Sequence, residues 1–439
     1  MESNMEPVIV GAGIGGLCTA SLLSLSGEKP VVLERECRVG GRATSYPVKE
    51  CLLDSGWHAS YYKNGYVGGA IGEILHKLGQ PLKLEKLNPP LCMYRNGKIE
   101  SVVGFNHVPA ELRPVLMKFA AEIRAIPYEK THEYDDTPVI EWVNQRTQNP
   151  ILLKHFNLSS YFAVTAKADK ASAGEYFRVL QIATSMCEGL GYPVNGCIKS
   201  IADSLRSGIE SLGGTVVTGA DVVQMDVDGD RISAVLYTKD GDTHEIRPDK
   251  IVFNPPVYFI LDYIKEFPKE FTEKVKHMKG NHTGPSTQVY FLLDSPFLTT
   301  KSLILLPEDA DMWQPGEHCA LFSPSTCSQT VAPPGKQLIL IAVPYTGKSV
   351  EDRALGLLKE VFPDVEPHID WVHSFETKIV DGLAKHVGFV GRHKMGVTSP
   401  LKNLFFVGDT VEGTGPGMEL PADSAKKLFS VLQGGEKNL

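Results

Sequence analysis

The chain has 439 residues, 42% of them hydrophobic and 22% charged, with a formal net charge of −8; that length supports about two or three domains with sizeable cores, and the lack of a long Lys/Arg run argues against a nucleic-acid partner. No apolar run approaches the ~20 residues that cross a bilayer, and the opening MESNMEPVIV lacks the basic and long apolar regions of a secretory leader, so the expected setting is cytoplasmic. Eight cysteines scattered from Cys18 to Cys327 form no CxxC pair and no metal-ligand spacing, which implies reduced, mostly buried thiols and no metal site.

The first predicted element is the short apolar strand Val8 to Val10, of the kind buried on both faces of a parallel sheet. It runs into GAGIGG, a complete GxGxxG with glycines at Gly11, Gly13 and Gly16, and then into LCTASLLSLSG, which reads as a helix closed by Gly27. Gly11 permits the tight turn, Gly13 lets the backbone approach a pyrophosphate, and Gly16 allows helix and strand to pack closely, with the helix amides and dipole favouring phosphate charge. PVVLE reads as a second parallel strand ending at Glu34, where an acid belongs that accepts hydrogen bonds from ribose hydroxyls and repels a 2′-phosphate. Strand, glycines, helix, strand and terminal acid in that order point to dinucleotide binding. Next comes RECRVGGRATSYP, in which Gly40 and Gly41 lie between Arg38 and Arg42; it is either a solvated loop or a second backbone wrap around the same pyrophosphate, with Arg42 neutralising part of its charge.

Farther along, residues 76–191 are mostly helical in periodicity, as in PVLMKFAAEIRAI and PVIEWVNQRT, and residues 257–385 hold the strand-like runs TQVYFLLD and QLILIAVPY. Between them, SIADSLRSGIESLGG reads as a helix and its stop, followed by a strand, a β-hairpin and the strand of DKIVFNPP. The tail NLFFVGDTVEGTGPGMELPADSAKKLFSVL offers a strand from Leu404 to Val407, the pair Gly408 and Asp409, a glycine-rich loop and a helix beginning near Met418. No second GxGxxG stands in a strand-turn-helix unit, so no built-in NAD(P)H domain is expected.

GxGxxG, the strand-ending Glu34 and the RxGGR of Arg38 to Arg42 together resemble the signature of the flavoprotein group that includes flavin amine oxidases, protoporphyrinogen oxidase and phytoene desaturases, with the phytoene desaturase-like members closest in appearance. The resemblance implies FAD, an α/β fold with a discontinuous Rossmann-like FAD-binding domain at residues 1–75, 192–256 and 386–439, and an inserted α+β substrate domain at 76–191 and 257–385. It implies cofactor contacts from Gly11, Gly13, Ile14, Gly15, Gly16, Glu34, Arg35, Gly41 and Arg42. Val222 would meet the adenine through its backbone, unless it is a plain core valine. Gly408 and Asp409 would meet the phosphate and ribityl region, and Gly417 and Met418 would aim a helix start at the flavin pyrimidine, where amide dipoles stabilise charge on a reduced ring.

By the same resemblance DSGWHASYY passes along the ring, making Gly56, Trp57 and His58 its neighbours. His58, Glu412 and Glu419 are the candidates for acid or base work, each with a plainer structural alternative; Tyr161, Phe162, Tyr176 and Phe177 are either substrate contacts or core. The implied activity is dehydrogenation of a hydrophobic, isoprenoid-like small molecule at a CH–CH bond by hydride transfer to the flavin, with dioxygen or a quinone as external acceptor. Oxidation at CH–NH in an amine or porphyrinogen, flavin-dependent double-bond isomerisation, and a scaffold without turnover are the alternatives. GTGPGMELPAD lacks the tyrosine of the amine oxidase version, and the chain is shorter than typical carotenoid desaturases. The mixed helical spacing of VPAELRPVLMKFAAEIRAI would serve peripheral membrane contact or core packing equally.

Overall fold

The computed structural model describes residues 6–185, 187–306 and 319–434. Five short strands form one parallel sheet in the order Thr215–Thr218, Val31–Glu34, Val8–Val10, Ile251–Phe253, Leu404–Phe406. The three inner strands are buried almost throughout, as their continuous apolar sequences require. The helix Ile14–Leu25 follows the first strand, and eleven of its twelve residues are buried. Such a helix cannot be amphipathic; it is packed against the sheet and between the helices Ser200–Ser211 and Glu419–Leu432. Two of its buried hydroxyls bond within the helix, Thr19 donating to the Gly15 carbonyl at 2.8 Å and Ser21 to that of Leu17 at 2.8 Å.

A second, seven-stranded sheet runs in the order Ile369–Thr377, Ser286–Leu293, Gln337–Val343, Cys319–Phe322, Leu303–Leu306, Leu91–Arg95, Lys98–Ser101. Its two central predicted strands are antiparallel neighbours, with Tyr290 opposite Leu340. The stretch read as mostly helical is not wholly so: Leu84–Lys86, Leu91–Arg95 and Lys98–Ser101 are strands, and the last two extend the large sheet as a hairpin. The turn between them is Asn96–Gly97, both at positive φ (50° and 73°), the pair that a two-residue hairpin turn favours. The rest of that stretch is helical: Arg113–Ala125, Val139–Asn144, Pro150–Val164 and Ala173–Ser185 enclose a core of Trp142, Phe119, Phe156 and Phe177.

The two sheets alternate along the chain, the parallel one taking strands from residues 8–34, 215–253 and 404–406, the large one from 91–101 and 286–377. Asp54, at the end of the strand Cys51–Asp54, joins several segments to the large sheet. Its carboxylate accepts from Ser45 Oγ at 2.6 Å, the Ile198 N–H at 3.1 Å and Tyr192 OH at 2.6 Å, and its carbonyl accepts from Tyr290 OH at 2.9 Å. Burial still pushes its pKa up to about 6 against those three bonds. Among the described residues no helix is long and apolar enough to cross a membrane.

Candidate active site

The glycine loop is closed by backbone contact. Gly11 stands at φ +93°, and a Cβ on Gly16 would lie 2.1 Å from the Gly11 carbonyl oxygen, so helix and strand touch here through bare main chain. The helix begins after Gly13 with no side-chain cap and no acid in its first turn, leaving N–H groups that a protein side chain elsewhere would satisfy. Gly40 donates its N–H to the Ala12 carbonyl at 2.8 Å, and a Cβ on Gly41 would lie 3.2 Å from Gly13 Cα. The second glycine pair therefore lies directly along the first loop. Asn254, just past the strand Ile251–Phe253, braces the first loop: its Nδ2 donates to the Gly11 carbonyl at 3.3 Å, and its Oδ1 would lie 2.5 Å from a Cβ on Gly15. An uncapped helix start, a cradle with no room for side chains, and a carboxylate beside it fit a dinucleotide diphosphate.

Glu34 is that carboxylate, buried, accepting the Ala12 N–H at 2.6 Å and the Glu36 N–H at 2.9 Å. Burial raises its pKa and the two amides hold it down. Arg35 points outward and pairs with Glu36 at 3.6 Å, while Arg38 stacks over Tyr46 at 4.2 Å. Val222 is a buried core residue, but the ladder slips between Val222 and Gln224, leaving Val223 exposed at the bulge.

Arg42 reaches across to Asp409 in a two-pronged ion pair, Nη1 to Oδ2 at 2.7 Å and Nη2 to Oδ1 at 2.8 Å, and Asp409 also accepts the Gly382 N–H at 2.6 Å. Burial would raise the Asp409 carboxyl, but the guanidinium and the Gly382 amide pull it to about 2. Around this pair lies an ionic layer that sequence reading did not single out. Lys385 pairs with Asp381 at 3.6 Å, and Asp381 also takes the Thr165 hydroxyl. Arg178 bridges Asp135 at 2.7 Å and Glu175 at 2.9 Å. Lys394 sits between these groups with its Nζ buried and unpartnered; burial drags its pKa down to about 8, the nearby Lys385 and Arg178 charges adding to the fall while Glu175 and Asp409 oppose it.

The loop after Asp54 turns back on itself, and a Cβ on Gly56 would lie 2.6 Å from His58 Cε1, so only glycine lets the imidazole fold there. His58 Nδ1 is buried without a hydrogen-bond partner. Burial lowers the His58 pKa to about 4, with Arg42 acting in the same direction and the Gly56 backbone and Asp381 opposing. Trp57 packs against three apolar clusters at once and stands 6.2 Å from Phe162. Tyr161, next to Phe162, lies 6.2 Å from it edge-on. Tyr176 and Phe177 are core: Phe177 has no exposed surface, and Tyr176 OH is bonded to Ser159 Oγ at 2.6 Å.

At the far end Gly408 turns at φ +118° and donates to Ser424 Oγ at 3.3 Å; Gly417 is exposed at φ +50°, and Met418 leads into the helix Glu419–Leu432. Glu419 is turned away from that loop. It is buried against the start of the helix Gly69–Lys77, accepting the Ala70 N–H at 2.7 Å with one oxygen while the other has no partner. Burial pushes it up to about 8, against the Ala70 and Ile71 amides. Glu412 is half-buried beside Gly396, its N–H donated to the Met395 carbonyl at 2.8 Å. The three acid-base candidates thus occupy three different surroundings, and the Arg42 charge acts on His58.

The sequence profile of one family, described as flavin containing amine oxidoreductase, matches residues 14–421. The chain is 22% identical over 209 residues to all-trans-retinol 13,14-reductase of Rattus norvegicus, covering 44% of this chain and 32% of that protein. It is 44% identical over 59 residues to an L-amino-acid oxidase of Siganus canaliculatus (13% and 10% of the two chains) and 34% identical over 74 residues to 15-cis-phytoene desaturase of Narcissus pseudonarcissus (17% and 13%). The chain therefore spans about a third or less of these relatives' length. In fold, it is similar to an oxidoreductase from Methanosarcina mazei over 98% of this chain and 100% of that one, with a TM-score of 0.75 at 21% identity.

Proposed function

The chain belongs to the flavin containing amine oxidoreductases and is an FAD-dependent oxidoreductase, and within that family we propose that it dehydrogenates a hydrophobic, isoprenoid-like small molecule at a CH–CH bond. The observation that carries this reading is the apolar wall beside His58: Trp57 at the junction of three hydrophobic clusters, faced by Phe162. Such a wall orients a substrate by area and shape rather than by charge. The names of two relatives, a retinol reductase and a phytoene desaturase, denote chemistry on polyenes and agree with it.

In this reading the cradle of Gly11, Gly13, Gly15, Gly16 and Gly41 holds the diphosphate, and Glu34 exchanges its bond from Ala12 for ribose hydroxyls. The bulge after Val222 faces the adenine, Gly408 and Asp409 meet the phosphate and ribityl region, and Gly417 and Met418 border the ring. Bound FAD supplies the two-electron acceptor for a hydride. Arg42, already forked onto Asp409, fixes the loop that carries Gly41 rather than offering a free charge. His58 is uncharged near neutral pH, so it positions by hydrogen bonding instead of donating a proton as an imidazolium. Reoxidation falls to dioxygen or a quinone.

Anaerobic mixing of the purified yellow protein with isoprenoid polyenes in detergent tests the reading. Polyenes should bleach the flavin band without added reductant, and Trp57→Ala should lower the bleaching rate per unit substrate by about tenfold, or ~1.4 kcal/mol of transition-state binding. Bleaching by amines or porphyrinogens and not by polyenes would move the reaction to CH–NH bonds. Turnover only after prior reduction would make the enzyme an isomerase.

A further inference from the structure

Away from the cradle, a pocket of about 310 Å³ opens between the hairpin Leu91–Ser101 and the start of the helix Arg113–Ala125, lined by Arg95, Asn106, His107, Arg113 and Ile151 among others. We propose that this pocket binds a phosphate oxyanion, gripped between the guanidinium groups of Arg95 and Arg113.

The charge pattern supports this. No carboxylate lines the pocket, and among the described residues no carboxylate pairs with either guanidinium. Arg42, Arg146, Arg178, Arg206, Arg247 and Arg392 all have such partners. Among the described residues Arg95 and Arg113 are held by main-chain carbonyls: Arg113 Nε donates to Val108 at 3.0 Å and its Nη2 to Asn106 at 3.1 Å, while Arg95 Nη1 reaches the His107 carbonyl at 3.5 Å. Those bonds orient the two forks without neutralising them, and each guanidinium keeps further N–H donors. Arg113 is moreover the first residue of its helix, where the helix dipole disfavours a cation unless an anion is close by.

The back wall of the pocket is neutral. His107 Nε2 and His155 Nδ1 are 3.0 Å apart in a buried stack, one ring donating and the other accepting. Burial, reinforced by the two arginines, takes His107 down to about 4, and burial with His107 takes His155 to about 3. The histidines therefore add no charge near neutral pH, and the two guanidiniums alone set the sign of the pocket. Two positive forks around one concavity match the oxygens and the charge of a phosphate.

Val103 and Met117 flank the pocket in sequence and are exposed to 51% and 62%. Met117 lies one helical turn from Arg113, on the same face. A phosphate beside exposed apolar side chains is the chemistry of a lipid headgroup as well as of the free ion, and the experiment separates the two sources.

The FAD-loaded protein is titrated with inorganic phosphate by calorimetry at constant ionic strength, and in parallel co-sedimented with vesicles of phosphatidylcholine alone or with added phosphatidic acid. Saturable phosphate binding assigns a free phosphate; sedimentation only with phosphatidic acid assigns a headgroup. In either case Arg113→Gln and Arg95→Gln should weaken binding at least about tenfold while the flavin absorbance stays unchanged, and Arg113→Lys should recover part of it. Absence of binding to both probes, or binding that both Gln variants retain, overturns the proposal. Loss of flavin absorbance in the unsubstituted protein would instead contradict the cofactor assignment and leaves the phosphate titration to be judged by itself.

Discussion

The glycine cradle and the ionic layer next to it prepare charge in opposite ways. In the cradle, main-chain amides and an uncapped helix start offer partial positive charge from residues that are close in sequence, Gly11 to Gly16 with Gly40 and Gly41. In the layer, four cations (Arg42, Arg178, Lys385, Lys394) are set against four carboxylates (Asp135, Glu175, Asp381, Asp409) brought from segments hundreds of residues apart. A cradle of amides cannot lose its charge by titration, but it fails if anything takes up its space. The layer tolerates changes of shape and fails when one charge is removed, because its partner is left buried and unpaired.

If that contrast is right, the largest effect in the molecule should come from adding one methyl group to the cradle. Gly16→Ala places a Cβ 2.1 Å from the Gly11 carbonyl, which is main chain and cannot swing away. The expected outcome is protein that keeps less than about a tenth of its flavin, read from the ratio of flavin to protein absorbance, because the first helix must move off the strand that aims it. Gly356→Ala is the control. It lies within the helix Val350–Val361 with nothing inside 4 Å of the new Cβ, so flavin content should hold and stability should rise by about 0.5–1 kcal/mol. Equal flavin loss in both variants would break the comparison.

Removing a charge from the layer should cost less. Asp409→Asn keeps the shape and deprives Arg42 of its two-pronged partner; because Arg42 is partly open to solvent, the expected loss is about 1–2 kcal/mol in urea unfolding near neutral pH. The pH dependence sharpens the test. A carboxyl held at about 2 in the folded chain, against an ordinary value of 3.8, contributes stability that is whole above about pH 4 and is lost as pH falls through 2. The difference between wild type and Asp409→Asn should therefore shrink on acidification. A gap that widens there would put the stabilisation elsewhere.

The same contrast governs what sequence reading reaches. The five parallel strands, the glycine spacing, Glu34 and the Gly408–Asp409 pair are legible because each answers a local constraint: a strand buried on both faces, a turn at positive φ, a contact too close for a Cβ. The hairpin at Asn96–Gly97 obeys such a constraint too, and helical periodicity on either side masked it. Asp381, Lys385 and Lys394 carry no local signature, since an isolated Asp or Lys in a polar stretch is ordinarily solvated. Only the fold brings Asp381 to Thr165 and aims Gly382 at Asp409. Asn254 is an intermediate case, a polar residue ending an apolar strand, whose grip on Gly11 and Gly15 depends on strand order.

Glu419 belongs to neither region and gives the smallest effect near pH 5 and the most diagnostic pH dependence. It stands one residue after Met418, yet its carboxyl is spent on the start of another helix, with Ala70 donating at 2.7 Å. Burial raises its pKa from 4.5 to about 8, over the opposing Ala70 and Ile71 amides. The unfolded chain thus releases a proton between those values that the folded chain keeps, so wild-type stability should be full below about pH 4.5 and decline as pH rises through 8. Glu419→Gln retains an oxygen for the Ala70 N–H and has no proton to lose. Its stability should match wild type to within about 0.5 kcal/mol near pH 5 and exceed it at pH 8, with the flavin spectrum unaltered, as chemical denaturation across that range would read. An unchanged slope would mean that another group titrates in the interior. A Gln variant that keeps its stability but loses substrate-driven bleaching would return Glu419 to the reacting centre, and with it the acid-base role that its neighbours Ala70 and Ile71 now argue against.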